Sequence, residues 1–275
     1  MDINDVRITN APLSIDTEDI MVNDFKVLID GDVLAYRAAC SPIITFNSFT
    51  QGTDKRPPTQ TEAIATLDTL MIDLLEGSTG RDILQGIPYE TFLTGKGNFR
   101  HDYAITAPYK GNRKDVEKPE HLSACRAYMR LKYDAIMSVD EEADDLLAIR
   151  ATELGPHNTC IASTDKDMLQ VNCWHYNITK KTLVYVEPFE GLKWFYGQLI
   201  EGDRADNIKG VMGIGPKKRE VIHSECTTEM DLWVTCVHTF MDTGLTGDEA
   251  KARVLENGRL AWLRRVPNQI WEPFI

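Results

Sequence analysis

No apolar run in this chain approaches the ~20 residues that a bilayer crossing requires, and its first residues lack the basic-then-apolar order of an export signal. A cytoplasmic location and no membrane partner are expected. Paired cysteines are missing too: Cys40, Cys125, Cys160, Cys173, Cys226 and Cys236 are scattered, with no CxxC and no histidine at zinc spacing. Zinc modules are thereby set aside, and buried, reduced thiols are predicted. No P-loop occurs, which argues against a nucleotide cofactor. Basic charge is also short, since 30 Lys and Arg face 42 Asp and Glu for a net −12. Taken whole, that balance argues against nucleic acid as a partner. The shortage is uneven, however. Between Lys96 and Lys132, nine Lys and Arg face four acids, a basic strip inside an acidic protein.

Carboxylate is what the chain has in excess, and it peaks at Asp140-Glu141-Glu142-Ala143-Asp144-Asp145, just before the apolar Leu146, Leu147 and Ile149. On a helix, Glu142 and Asp145 share one face, and Glu141 and Asp144 the next. One or two acids suit a helix N-terminus, where they cap free N–H groups and meet the dipole. Five repel one another. Hard divalent cations relieve that repulsion, and oxygen-only ligands are those that Mg²⁺ or Mn²⁺ select.

In chain order, residues 1–24 are polar and weakly periodic, a loosely held extension. Phe25 to Ile29 reads as a strand that delivers Asp30 and Asp32. A Gln/Thr/Pro/Gly-rich loop over 51–61 leads to a helix over 62–75, and a strand follows at 89–93. The run Tyr109-Lys110-Gly111-Asn112-Arg113-Lys114 reads either as a solvated loop or as a phosphate clamp with a stacking ring. A strand over 134–139 enters the acidic helix, and a strand over 159–163 ends in Asp165 and Asp167. This alternation implies a right-handed, parallel α/β sheet with its ligand site at the carboxyl ends of the strands. A hairpin over 173–186 and a helix over 190–200 precede Asp203 and Asp206, one helical turn apart. Gly210, Gly213, Gly215, Lys217 and Lys218 then form either a phosphate seat or a glycine-capped structural turn. Amphipathic helices and an aromatic tail, without evident chemistry, complete the chain.

In this order, LIDGD at 28–32, YKGNR at 109–113, EADD at 142–145, STDKD at 163–167 and GDRADNIKGVMGIGPKK at 202–218 resemble the flap endonuclease family. These are the structure-selective 5′-nucleases that include the 5′-nuclease domain of bacterial DNA polymerase I and the 5′→3′ exonucleases of bacteriophages, the latter looking closest. The resemblance implies a PIN-like, mostly parallel sheet flanked by helices, with a helical arch and a helix-three-turn-helix. It divides the chain into the extension 1–24, a nuclease domain 25–200 with the basic arch at 96–132, and a helical region 201–275 with the helix-three-turn-helix at 203–223. It implies one metal site of Asp30, Glu142 and Asp144 and a second of Asp145, Asp165, Asp167, Asp203 and Asp206. Two Mg²⁺ ions are implied, with Mn²⁺ as a substitute, and K⁺ at the glycine hairpin. Lys110 and Arg113 would engage the scissile phosphate, while Tyr109, Lys114, Lys209, Gly213, Gly215, Lys217 and Lys218 would contact DNA. The implied substrate is DNA with 5′ ends or flaps, with RNA in an RNA–DNA hybrid as a further one, cut in phage replication inside an infected bacterium. One motif departs: the family usually has another Asp after the strand at 89–93, where Thr94-Gly95 stands here. Asp32 and Asp102 are the nearby substitutes. A rival reading is a catalytically silent protein that binds DNA ends or flaps.

Overall fold

The computed structural model describes residues 25–47, 51–76, 84, 86–114 and 116–273; the expected extension 1–24 lies outside them. β1 (Lys26–Asp30), β4 (Tyr89–Lys96), β5 (Ile136–Val139), β6 (Thr159–Ser163), β7 (Trp174–Asn177) and β8 (Thr182–Tyr185) form one sheet in the order β5-β4-β1-β6-β7-β8. All neighbours run parallel except β7 and β8, the expected hairpin. Val27, Leu28 and Ile29 are fully buried, because a central parallel strand is covered on both faces and needs a continuous apolar run.

α1 (Gly31–Cys40), α2 (Gln60–Leu75) and α3 (Leu122–Lys132) cover one face through Leu34, Ala38, Leu67, Met71, Cys125 and Met129. α4 (Ala143–Leu154) covers the other through Leu147, Ala148 and Ala151, packed on Leu28, Phe92 and Ile161. α2 starts where Thr59 and Glu62 close a capping box, two residues before the expected start. Of the six cysteines, Cys40 is exposed and the other five are buried, so the expectation of burial fails at the end of α1.

A second core is built by α5 (Pro188–Glu201), α7 (Glu229–Met241) and α8 (Gly247–Ala261), around Phe195, Trp233, Phe240 and Trp271. α5 also packs on the turn 166–170 beyond β6, where Gly191 has no room for a Cβ against Gln170 O, and so joins this core to the sheet. Between α5 and α6 (Pro216–Ile222) lies a ribbon, β9 (Gly202–Asp203) against β10 (Ile208–Lys209). The loop expected over 51–61 instead holds β3 (Gly52–Arg56), paired antiparallel with β2 (Ile43–Asn47). Among the described residues, 103–121 carry a single 3-10 turn, Gly111–Arg113, in place of a longer helix.

Candidate active site

Strand ends and the turns beyond them bring the acids to one edge of the sheet. Asp30, at the end of β1, caps α1 by accepting the Val33 N–H at 3.1 Å and accepts the Ser163 hydroxyl at 2.7 Å. Beyond β6, Asp165 accepts the Asp167 N–H at 2.9 Å and so fixes the turn that carries both. α4 begins at Ala143, three residues into the acidic run, with Glu142 as N-cap and Asp145 returning the capping bond to the Glu142 N–H at 3.1 Å. In the loop between β9 and β10, Asp203 accepts the N–H groups of Ala205 and Asp206.

The resulting basin is electrostatically unbalanced. Asp144 has no hydrogen-bond or ion-pair partner among the described residues. Burial, together with Asp30, Asp165 and Glu142 nearby, pushes its carboxyl well above the ordinary range. Burial, with Asp165, Asp203 and Asp206, pushes Asp167 up to about 8, even though Gln198 Nε2 donates to it at 2.7 Å. Burial also raises Asp30, to about 6, with Asp165 adding to the effect. Asp206 is raised by burial and by Glu142 against the pull of Lys110 and Tyr109.

Two cations of the basic strip reach this basin. Lys110, in the left-handed region at φ 52°, donates its N–H to Asp206 O at 2.9 Å. Its Nζ pairs with Glu142 and lies 3.6 Å from Asp206. Arg113 Nη2 is 2.6 Å from Asp206 Oδ1, and its Nε donates to Ala205 O. For Glu142, burial would raise the carboxyl, but Lys110 and Arg100 outweigh it and hold the group low.

Tyr109 is engaged within the chain. Its ring is 4 % exposed, and its hydroxyl lies 2.9 Å from Glu142 and 2.7 Å from Asp206. A buried phenol that joins two acids is not free to stack on a base. Asp145 is likewise engaged within the chain. Placed by the resemblance among the metal ligands, it is fully buried and gripped in bidentate fashion by Arg100 at 2.6 and 2.8 Å. Arg264 N–H donates to it as well, at 3.1 Å. Burial alone would raise its pKa, but Arg100 holds it below the ordinary range. Asp145 is thus held chiefly by donors, while Asp144 faces mainly other acids.

The departure at Thr94-Gly95 is filled structurally. A Cβ at Gly95 would run into Ser138 O, and the Thr94 hydroxyl accepts the Ala143 N–H at 3.0 Å. Asp32 is not a spare ligand, because it pairs with Arg126 and accepts the Thr94 N–H at 2.8 Å. Asp102 is exposed on the 3-10 turn Phe99–Asp102. Lys114, Lys209, Lys217 and Lys218 are exposed, and Lys209 Nζ bonds Asn207 at 2.6 Å. Gly213 stands at φ 82° with open space around it, and Gly215 caps α6. Gly210 has a different task, since it and Gly202 cross where neither has room for a Cβ.

No three Asp, Glu, His or Cys side chains among the described residues are gathered on one ion-sized point. The cleft between the acids is small, about 20 Å³, and lined by Glu142, Asp144, Asp167, Asp203 and Asp206 with Tyr109 and Arg100. The donor set nonetheless suits hard cations. It is all carboxylate oxygen, and Asp144 and Asp167 are buried acids whose carboxyls stay raised against the weaker pull of Lys110 and Lys166. A larger cavity of about 690 Å³ lies between β7–β8 and α5–α6, is mostly apolar, and shares Asp165 with the acids. Sequence reasoning missed Arg100, Ser163 and Gln198. Nothing near them in sequence marks an arginine as buried or an amide as an acid's partner.

The family described as 5′-3′ exonuclease, N-terminal resolvase-like domain, matches residues 26–190. DNA polymerase I of Bacillus caldotenax is 31% identical over 210 residues, which are 70% of this chain and 22% of that protein. Flap endonuclease Xni of Shewanella piezotolerans is 36% identical over 129 residues, 42% of this chain and 50% of that one. The matched stretch thus spans about a fifth of the polymerase and half of Xni. Among solved structures, the bacteriophage T5 D15 protein co-crystallised with metal ions aligns over 86% of this chain and 88% of its own, at TM-score 0.56 and 18% identity. The catalytic core of Rad2 in complex with DNA substrate aligns over 92% and 83%, at TM-score 0.51 and 11% identity. At such identities these structures speak for the fold, a mostly parallel 5′-nuclease sheet flanked by helices.

Proposed function

This chain belongs to the 5′-3′ exonuclease family through its N-terminal resolvase-like domain, and on that premise we propose that it is a divalent-metal-dependent 5′-nuclease. It hydrolyses phosphodiester bonds in DNA bearing 5′ ends or single-stranded 5′ flaps, and in the RNA strand of a hybrid. The observation that carries this reading is the convergence of Asp30, Glu142, Asp144, Asp165, Asp167, Asp203 and Asp206 from separate elements onto one basin. There, unbalanced acids stand beside Lys110 and Arg113.

In this reading Asp30, Glu142 and Asp144 would hold one Mg²⁺ or Mn²⁺, and Asp165, Asp167, Asp203 and Asp206 another. Two such ions, when bound, activate water and neutralise charge on the phosphate in flight. The chain supplies the rest. Lys110 and Arg113 exchange their acid partners for the scissile phosphate, the Arg fork gripping two oxygens. Tyr109 orients Glu142 and Asp206. Residues 25–200, together with Asp203 and Asp206, carry the chemistry, and the remainder of 201–275 grips the duplex backbone through Lys209, Lys217 and Lys218. Lys114 adds a backbone contact, and K⁺ sits on the carbonyls of the 210–215 turn.

The test is cleavage of a duplex with a 5′ flap, labelled at either end, in Mg²⁺ and in EDTA, with wild type beside Asp165→Ala. Release of short 5′ products in Mg²⁺, lost in the variant while flap binding persists, is the expected result. Metal-independent cleavage, or full activity in Asp165→Ala, refutes the reading. The Thr94-Gly95 departure favours one alternative, a silent DNA-end binder, for which wild type would bind the flap and cut nothing.

A further inference from the structure

The aromatic tail, in which the sequence offers no chemistry, passes behind both acid-bearing turns. On one side it meets the turn of Glu142 and Asp144. Arg100, 1 % exposed, donates Nε–H to Leu260 O and Nη2–H to Trp262 O, each at 2.8 Å, while its fork holds Asp145. Arg264 N–H completes Asp145, and the Arg264 side chain reaches Glu141 at 2.8 Å. Phe99 contacts both guanidiniums, that of Arg264 at 3.6 Å and that of Arg100 at 4.6 Å from its ring centroid.

On the other side the tail meets the turn of Asp165 and Asp167, which ends at Gln170. The buried Gln170 amide donates to Ala261 O at 3.0 Å and accepts the Leu263 N–H at 2.9 Å. The Gln170 backbone carbonyl accepts from Arg265 Nη2 at 2.8 Å. Further on, the tail is anchored by Trp271, which packs where Gly258 leaves no Cβ and lies 5.2 Å from Phe195.

We propose that Leu260–Arg265 is a strap that fixes the separation of the two acidic turns, with Arg100, Asp145 and Gln170 as positioning residues that touch neither substrate nor ion. The catalytic part of this inference rests on the nuclease reading; the mechanical part rests on the bonds alone. A planar fork that gives four of its five N–H groups to one carboxylate and two carbonyls has a single geometry, which a lysine cannot reproduce. Displacing catalytic groups by ~1 Å costs about 10²-fold in rate.

The test uses Gln170→Met, which keeps the volume but loses the amide, and Arg100→Lys, which keeps the charge but loses the fork. Both are expected to lower kcat on 5′-flap DNA by about 10²-fold while KM moves less than about threefold. Calorimetry with Mn²⁺ alone is expected to give affinity weakened by about tenfold. In the wild type, hydrogen exchange at residues 261–265 is expected to slow when Mn²⁺ is added. A folded Gln170→Met with kcat and Mn²⁺ affinity within about threefold of wild type overturns the strap. So does exchange at 261–265 that ignores Mn²⁺. Should Arg100→Lys fail to fold, Gln170→Met and the wild-type exchange decide alone. A wild type that cuts nothing refutes the nuclease reading, and the exchange and calorimetry then still judge the strap.

Discussion

Asp144 and Asp145 are sequence neighbours on the first turn of one helix, yet they belong to opposite regions. Asp144 looks into the acid basin, where Asp30, Asp165 and Glu142 raise its pKa further than burial alone would. Asp145 looks into the pocket behind, where Arg100 and the Arg264 N–H more than offset the same burial. Burying a carboxylate costs several kcal/mol unless a partner compensates. The chain compensates in one region and withholds compensation in the other. The basin is thereby destabilised on its own and receptive to cations, and the pocket is rigid. Exchanging the chemistry at each position breaks this contrast most directly. Asp145→Asn leaves Arg100 buried without its counter-charge and is expected to cost about 3–5 kcal/mol of stability. Asp144→Asn, assayed in EDTA, is expected to leave the stability equal or greater. Urea unfolding of both variants in EDTA decides, and equal losses at the two positions would end the distinction.

The next effect is smaller and depends on pH. In the metal-free protein Asp167 holds its proton up to about 8 and Asp30 up to about 6, whereas unfolded carboxyls titrate near 4. The folded state therefore binds more protons than the unfolded state between those values, so stability falls as pH rises. His175 and His223, pushed down to about 4 by burial, act the other way. Their stability is present above the unfolded value near 6.5 and is lost below it. A window from about pH 6.5 to 8.5 isolates the acids. In EDTA the melting temperature is expected to drop across that window, and Mg²⁺ to raise it more at the upper end. A flat profile in EDTA would mean that the basin is not under charge strain.

What the sequence made legible follows the same division. Val27-Leu28-Ile29 announced a buried central strand because a parallel sheet leaves it no polar face, and Asp30 followed from its place at the strand end. The acidic run stood out through its own repulsion. The pairing of Asp145 was not legible because its partner Arg100 lies 45 residues away in sequence and is brought close by the fold alone. Tyr109 read as a stacking ring because its neighbours are basic, while its hydroxyl is spent on acids 33 and 97 residues away. The β2–β3 ribbon escaped notice because no buried face writes a pattern into it; Ile44 and Phe46 remain 59% and 67% exposed. Local chemistry was readable, and pairings across the chain were not.

The weakest effect lies at the far side of the same contrast, among cations with no acid to answer them. Lys217 and Lys218 are exposed at the start of α6, beside a turn whose Gly213 has open space around it. If they meet backbone phosphates, each releases condensed counterions, and the double change to alanine should flatten the dependence of log affinity on log salt by about 2. The loss should be uniform across flap sequences, because phosphate contacts carry no base information. Lys110 and Arg113 make the instructive control, since they are already paired to Glu142 and Asp206 and must give up those pairs to bind DNA. Removing either should flatten the slope by less than one exposed lysine does, as part of its gain on DNA is offset by the acid it leaves. An equal slope change at paired and unpaired cations would mean that the basin pairs dissolve before DNA arrives, and that the acids hold these cations far more loosely than their distances imply.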